Sequence, residues 1–72
     1  MDEHTRKFGI RLKQLRDESN LTQRQLALML GMSPKYVSNL ENGHGNPTLT
    51  NIVKFAQGLG VTASELLDGV DD

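Results

Sequence analysis

An all-α fold is predicted by three observations: capping residues stand ahead of successive apolar runs, glycines close those runs, and no stretch alternates apolar with polar residues. With 72 residues, the chain has room for one small domain over 1–72, with frayed tails expected at 1–4 and 70–72. Five helices are expected, at about 5–18, 22–30, 33–42, 48–59 and 62–68.

Each element has its own justification. In the first, Phe8, Leu12 and Leu15 recur at i, i+4 and i+7, one face of a helix. The second opens on Leu21-Thr22-Gln23-Arg24-Gln25: Thr22 caps, Gln25 reaches back three residues, and Leu21 staples onto Leu26. The third opens on Met32-Ser33-Pro34, with Ser33 as cap and Pro34 at the first helical position, where a missing N–H costs nothing. Met32 and Val37 repeat the staple spacing. Thr48 caps the fourth, which carries Leu49, Ile52, Ala56 and Leu59 at helical spacing. Thr62 and Glu65 form a second capping box, with Val61 spaced to meet Leu66. Gly31, Gly43, Gly60 and Gly69 stand at the expected stops.

Composition narrows the classes. Cysteine and tryptophan are absent, so neither disulfides nor thiolate metal ligands can staple the domain. A chain this short buries only about 60% of its unfolded surface, which makes self-association a reasonable expectation. No apolar run approaches the roughly 18 residues of a membrane span. The start, MDEHTRK, lacks the apolar stretch of a secretory signal. A soluble, cytoplasmic protein is expected, with no membrane partner.

The net charge of −1 conceals an uneven distribution. Asp2, Glu3, Glu65, Asp68, Asp71 and Asp72 lie at the ends, whereas between His4 and Ser64 eight basic residues face only Asp17, Glu18 and Glu41, a balance of +5. A basic centre with acidic ends is compatible with a polyanion bound on one face, and equally with an ordinary mixed surface.

The second and third helices are joined by a turn of four residues or fewer, the geometry of a helix-turn-helix. Leu26, Leu30, Val37 and Leu40 point to a shared core, Ala27 is small where the helices must approach, and Gly31 permits the turn. On the third helix Val37, Leu40 and Glu41 share one side. Lys35, Ser38, Asn39 and Asn42 share another, at i, i+3, i+4 and i+7. A stripe of Lys, Ser and Asn has the chemistry to read a major groove: Lys donates to guanine O6/N7, and Asn bonds adenine N6/N7. A solvated face is the bland alternative.

Phe8-Gly9 with Leu12, Leu15 and Arg16, then LTQRQLALMLGMSPKYVSNLENG from Leu21 to Gly43, then Asn46-Pro47 and LGVTASELL from Leu59 to Leu67, resemble the phage-repressor/Cro-type helix-turn-helix family of transcriptional regulators. The resemblance covers roughly residues 8–67. It implies a compact five-helix DNA-binding domain that docks as a homodimer on a pseudo-palindromic operator. Carried over by position, Pro34, Lys35 and Asn39 match base-contacting residues; Pro34 has only apolar contact to offer. Gln23 matches a glutamine that holds a phosphate and braces the recognition helix. Thr22 lies beside it, at a helix end whose free N–H groups attract phosphate. Asn42 matches a phosphate contact, and Ser38 and Tyr36 are further candidates, Tyr36 being equally suited to packing beside the motif. Arg16 and Glu41 match a structural ion pair between the first and third helices. By the same analogy Leu59, Val61, Leu66 and Val70 supply the dimer interface.

Two departures stand out. Relatives often carry basic residues after the third helix, where this chain has Gly43-His44-Gly45, so fewer phosphate contacts are expected there. Ile10, Leu28 and Met29 are apolar where relatives are usually polar; they are either additional core or an exposed patch for a partner.

Catalysis finds no foothold: His4 and His44 lie far apart in sequence, the carboxylates cluster at the ends, and no HExxH, phosphate-binding glycine loop or nucleophile elbow is present. No metal site and no cofactor are expected. The alternative to a DNA-binding regulator is a protein-interaction module of the same fold, such as an antitoxin holding a toxin or another regulatory protein.

Overall fold

The computed structural model describes residues 2–72 as five helices: α1 Glu3–Glu18, α2 Gln23–Leu30, α3 Pro34–Glu41, α4 Leu49–Leu59 and α5 Ala63–Leu66. No strand occurs among the described residues. The helices wrap one core into a body of 29 × 23 × 21 Å.

The capping chemistry accounts for where the helices begin. Thr22, Ser33, Thr48 and Thr62 each hold an extended backbone and accept from the N–H three residues on. Gln25 and Glu65 return the bond to the N–H of Thr22 and Thr62, completing both capping boxes. Each such cap contributes about 1 kcal/mol. Helix α2 ends at Gly31 and α4 at Gly60, both in the left-handed conformation that only glycine adopts without strain.

Within the stretches 1–4 and 70–72, where frayed tails are expected, some residues make defined contacts. Asp2 caps α1 by accepting from the His4 N–H, so the helix starts at Glu3 rather than near residue 5. Val70 turns back and packs against the core, its N–H donating to the Leu67 carbonyl. Met1 lies outside the described residues. Helix α5 is shorter than the expected 62–68: it ends at Leu66 and continues as turns. Helix α1 stops without a glycine. Asn20 takes φ 57° and the Leu21 N–H reaches back to the Arg16 carbonyl. Asparagine tolerates this conformation better than most residues.

Every helix contributes to the core: Phe8, Leu12 and Leu15 from α1, Leu26 and Ala27 from α2, Val37 and Leu40 from α3, Phe55 and Ala56 from α4, and Leu66 from α5. Phe55 is central. Its ring lies 6.5 Å from that of Phe8 at a tilt of 57°, and 6.5 Å from that of Tyr36, nearly parallel at 14°.

Helix α1 crosses α3 closely because Gly9 has no side chain. A Cβ there would sit 2.3 Å from the Leu40 carbonyl oxygen and 2.8 Å from that of Glu41. Gly9→Ala therefore sets a gain in helix propensity of about 1 kcal/mol against a clash with backbone that no rotamer relieves. The clash wins: a net loss of about 1–3 kcal/mol is expected, seen as a lower melting temperature. An unchanged or raised melting temperature contradicts the close crossing.

Two exposed carboxylates add a pH dependence. The Thr62 N–H and hydroxyl hold the Glu65 carboxyl below its ordinary value of 4.5, and Lys13 holds that of Asp17 below 3.8. Since the folded state lowers these pKa values, their stabilisation is complete above the unfolded values and lost as pH falls through the folded ones. Melting temperature is expected to hold from neutral pH to about 5 and then fall. Glu65→Gln keeps an acceptor for the Thr62 N–H but cannot titrate, so it should flatten part of that fall. A melting temperature that rises on acidification contradicts this assignment.

Candidate nucleic-acid interface

The turn between α2 and α3 places the two helices in direct contact, with Ala27 and Val37 buried at the crossing side. The Met32 N–H donates to the Ala27 carbonyl at 2.9 Å, closing the turn. With the apolar side of α3 committed to the core, Pro34, Lys35, Asn39 and Asn42 are left exposed and Ser38 half-buried. The polar stripe read from the sequence is thus one accessible face. Asn42 also ends the helix, its N–H donating to the Ser38 carbonyl at 3.0 Å.

Beneath this face lies a hydrogen-bonded cluster. Arg16 from α1 grips Glu41 of α3 with two bonds, Nε to Oε2 at 2.6 Å and Nη2 to Oε1 at 2.9 Å. Its Nη1 donates to the Leu21 carbonyl at 2.7 Å, tying in the segment that enters α2. Both residues are 8% exposed. The carboxylate of Glu41 raises the Arg16 pKa above its usual value, so the guanidinium stays charged. The ion pair named in the sequence is therefore formed and buried.

Glu41 has a second partner in Gln23, the residue that the resemblance assigns to bracing the recognition helix. Gln23 Nε2, at the first position of α2, donates to Glu41 Oε1 at 3.0 Å. An anionic acceptor fixes the glutamine amide with its nitrogen inward, leaving one N–H of that nitrogen for another acceptor. Around it, the backbone N–H groups of Gln23 and Arg24 have no partner within the helix, because the first intrahelical donor is Leu26 and the Gln25 N–H is taken by Thr22. Arg16, Asp17, Asn20, Leu21, Thr22, Gln23 and Arg24 line an open groove at this helix end. Thr22 caps through its oxygen, so its hydroxyl proton is free to face the groove.

Among the described residues, Arg24, Lys35 and Lys54 carry positive charges engaged in no ion pair or hydrogen bond, whereas Arg6, Lys13 and Arg16 are paired with carboxylates. Two of the three free cations, Arg24 and Lys35, belong to the helix-turn-helix itself. Sequence motifs do not point to Arg24; its place next to Gln23 and the free N–H groups of α2 is what singles it out.

Tyr36 is half-buried, with its ring against Phe55 and its hydroxyl accepting from Asn51 Nδ2 at 2.9 Å. It packs beside the motif, one of the two roles weighed for it. His44 is exposed in the loop after α3.

Residues 12–66 match the family model described as helix-turn-helix. The chain belongs to the helix-turn-helix family. Its family relatives include the control protein C.MunI of a Mycoplasma species, 39% identical over 66 residues, a match spanning 90% of this chain and 89% of the relative. The control protein C.BamHI of Bacillus amyloliquefaciens is 39% identical over 62 residues, spanning 85% of this chain and 76% of the relative. The solved structure of the restriction-modification controller protein C.AhdI from Aeromonas hydrophila superposes with a TM-score of 0.83 at 40% identity, covering 86% of this chain and 94% of that one.

Within the family fold, the suggested dimer residues separate. Leu59, Val61 and Val70 are half-buried at the surface around α4 and α5. Leu66 is 0% exposed in the core, so its place in an interface is corrected: its side chain is spent inside the protomer. Ile10, Leu28 and Met29, at 52%, 69% and 55% exposure, are an exposed surface and not additional core. No described helix is long and apolar enough to cross a membrane.

Proposed function

We propose that this chain is a sequence-specific transcriptional regulator of double-stranded DNA, acting in the cytoplasm as a homodimer and as a binding protein without catalytic activity. The observation that carries the reading is the polar stripe of exposed Lys35, Asn39 and Asn42 with half-buried Ser38, on a helix whose opposite side is locked into the core. The likeness to C.MunI and C.AhdI, over 90% and 86% of this chain, supports it and favours control of a restriction-modification gene set over a toxin-binding adaptor.

In this mechanism α3 enters the major groove by its N-terminal half. Lys35 donates to guanine, Asn39 pairs with adenine, and Pro34 supplies apolar contact. Gln23, held by Glu41, and the free N–H groups of α2 take a backbone phosphate, with Thr22 and Arg24 beside them. Ser38, Tyr36 and Asn42 take further phosphates. Two protomers related by a twofold axis, joined around Leu59, Val61 and Val70, set their recognition helices about 34 Å apart, one turn of B-DNA.

Base and phosphate roles separate under mutation. Lys35→Ala and Asn39→Ala are each expected to cost about 1–3 kcal/mol on the preferred sequence and to relax preference at one base pair per half-site. Gln23→Ala is expected to weaken all sequences alike. Binding measured across a panel of single-base variants checks this. An unchanged preference profile in both Lys35 and Asn39 variants removes them from base reading.

A further inference from the structure

We propose that Asn51 is a positioning residue for DNA binding: it sets the direction of the Tyr36 hydroxyl proton so that the hydroxyl donates to a phosphate. The inference rests on the proposed role of Tyr36 at the backbone and assigns a task to a residue of α4 that is not itself on the reading face.

The geometry leaves the hydroxyl little choice. Asn51 Nδ2 donates to Tyr36 Oη at 2.9 Å. A phenol hydroxyl has one proton and two lone pairs. With one lone pair taken by an amide N–H, the proton must turn away from Asn51. The ring on one side and the backbone on the other are anchored. The Tyr36 ring stacks on Phe55, which is wholly buried, and Asn51 is fixed in the first turn of α4, its own N–H donating to the Thr48 hydroxyl at 3.1 Å. Tyr36 stands three residues before Asn39 on the helix that carries the polar stripe, so the two side chains are neighbours on the helix surface. A hydroxyl donating to an anionic phosphate makes a charge-assisted bond, stronger than one to water.

Reversing the amide reverses the polarity. If an oxygen faced the hydroxyl, the proton would turn inward and the phenol would show lone pairs to the phosphate. Asn51→Asp enforces that state, because a carboxylate only accepts. Aspartate in the first turn of a helix suits the helix dipole, so folding is retained.

The test is fluorescence anisotropy at low salt with a labelled duplex of fixed mixed sequence, about three helical turns long. Phosphate contacts govern such binding, so no operator is needed. Tyr36→Phe is expected to weaken binding about fivefold. Asn51→Ala should cost about the same alone and nothing further in the Tyr36→Phe background. Asn51→Asp should bind more weakly than Asn51→Ala, with an undiminished melting temperature. The dependence of affinity on salt should be equal for wild type, Tyr36→Phe and Asn51→Ala, since a neutral donor releases no counterion. Wild-type affinity in Asn51→Ala, alongside a weakened Tyr36→Phe, overturns the proposal while leaving Tyr36 at the phosphate. An Asn51→Ala loss that persists undiminished in the Tyr36→Phe background overturns it too, by making Asn51 a contact in its own right. Failure of the wild-type protein to bind the duplex overturns the DNA reading and this inference with it.

Discussion

Replacing Glu41 with alanine is expected to destabilise the protein by about 3–5 kcal/mol. The Glu41 side chain is 2% exposed and receives two bonds from Arg16 and one from Gln23. Its removal leaves the guanidinium charged and buried, with only the exposed Asp17 carboxylate, 3.4 Å from Nη1, as counter-ion. A domain of this size is stable by roughly 4–11 kcal/mol in total, at 0.05–0.15 kcal/mol per residue, so the variant should be largely unfolded on modest warming. The double variant Arg16→Met, Glu41→Leu removes both charges and fills the space. It should recover much of the loss, because the pair's gain is largely offset by the cost of burying it. Urea unfolding of the three proteins checks this. A Glu41→Ala cost below about 1 kcal/mol, the range of an exposed pair, contradicts a buried ion pair. The recovered double variant still lacks the acceptor that holds Gln23, so its DNA affinity should stay below wild type although its stability does not.

Phe55→Ala should do comparable damage by a different route. Phe55 is fully buried between Phe8 and Tyr36, and truncating a core phenylalanine costs about 3–5 kcal/mol through lost burial and the cavity left behind. Here the cavity also removes the surface on which Tyr36 stacks. Phe55→Leu, which keeps most of the volume, is expected to lose less stability, yet it too removes the stacked ring. Its DNA affinity should therefore fall while most of its fold survives. Equal DNA binding by Phe55→Leu and wild type would show that the Tyr36 ring needs no aromatic support.

Much of this fold was legible because its determinants are local. Thr22 with Gln25, Thr62 with Glu65, and Ser33 with Pro34 are short-range chemistry, and each opens a helix where the sequence placed it. The start of α1 was less visible because Asp2 caps it six residues ahead of the first core residue, Phe8, and its stop is an asparagine that takes a positive φ. The contacts that order the site join residues far apart in the chain: Gln23 with Glu41 is 18 positions, and Tyr36 with Asn51 is 15. Periodicity describes one helix at a time and carries no information about which face meets which. Leu66 shows the reverse error. Its staple spacing to Val61 already pointed inward, and analogy to an interface outweighed that local signal. Arg24 required the packed structure, since only there does it stand beside a fixed amide and unpartnered N–H groups.

In the proposed complex, α3 of two protomers reads DNA sequence in successive major grooves. Selection of bound duplexes from a random-sequence pool, followed by sequencing, tests it most directly. The expected result is enrichment of an inverted repeat whose half-sites are centred about one helical turn apart, with the preference at one position per half-site lost in Lys35→Ala and at another in Asn39→Ala. Enrichment of no sequence, or of a sequence whose preferences are untouched by both substitutions, would contradict it.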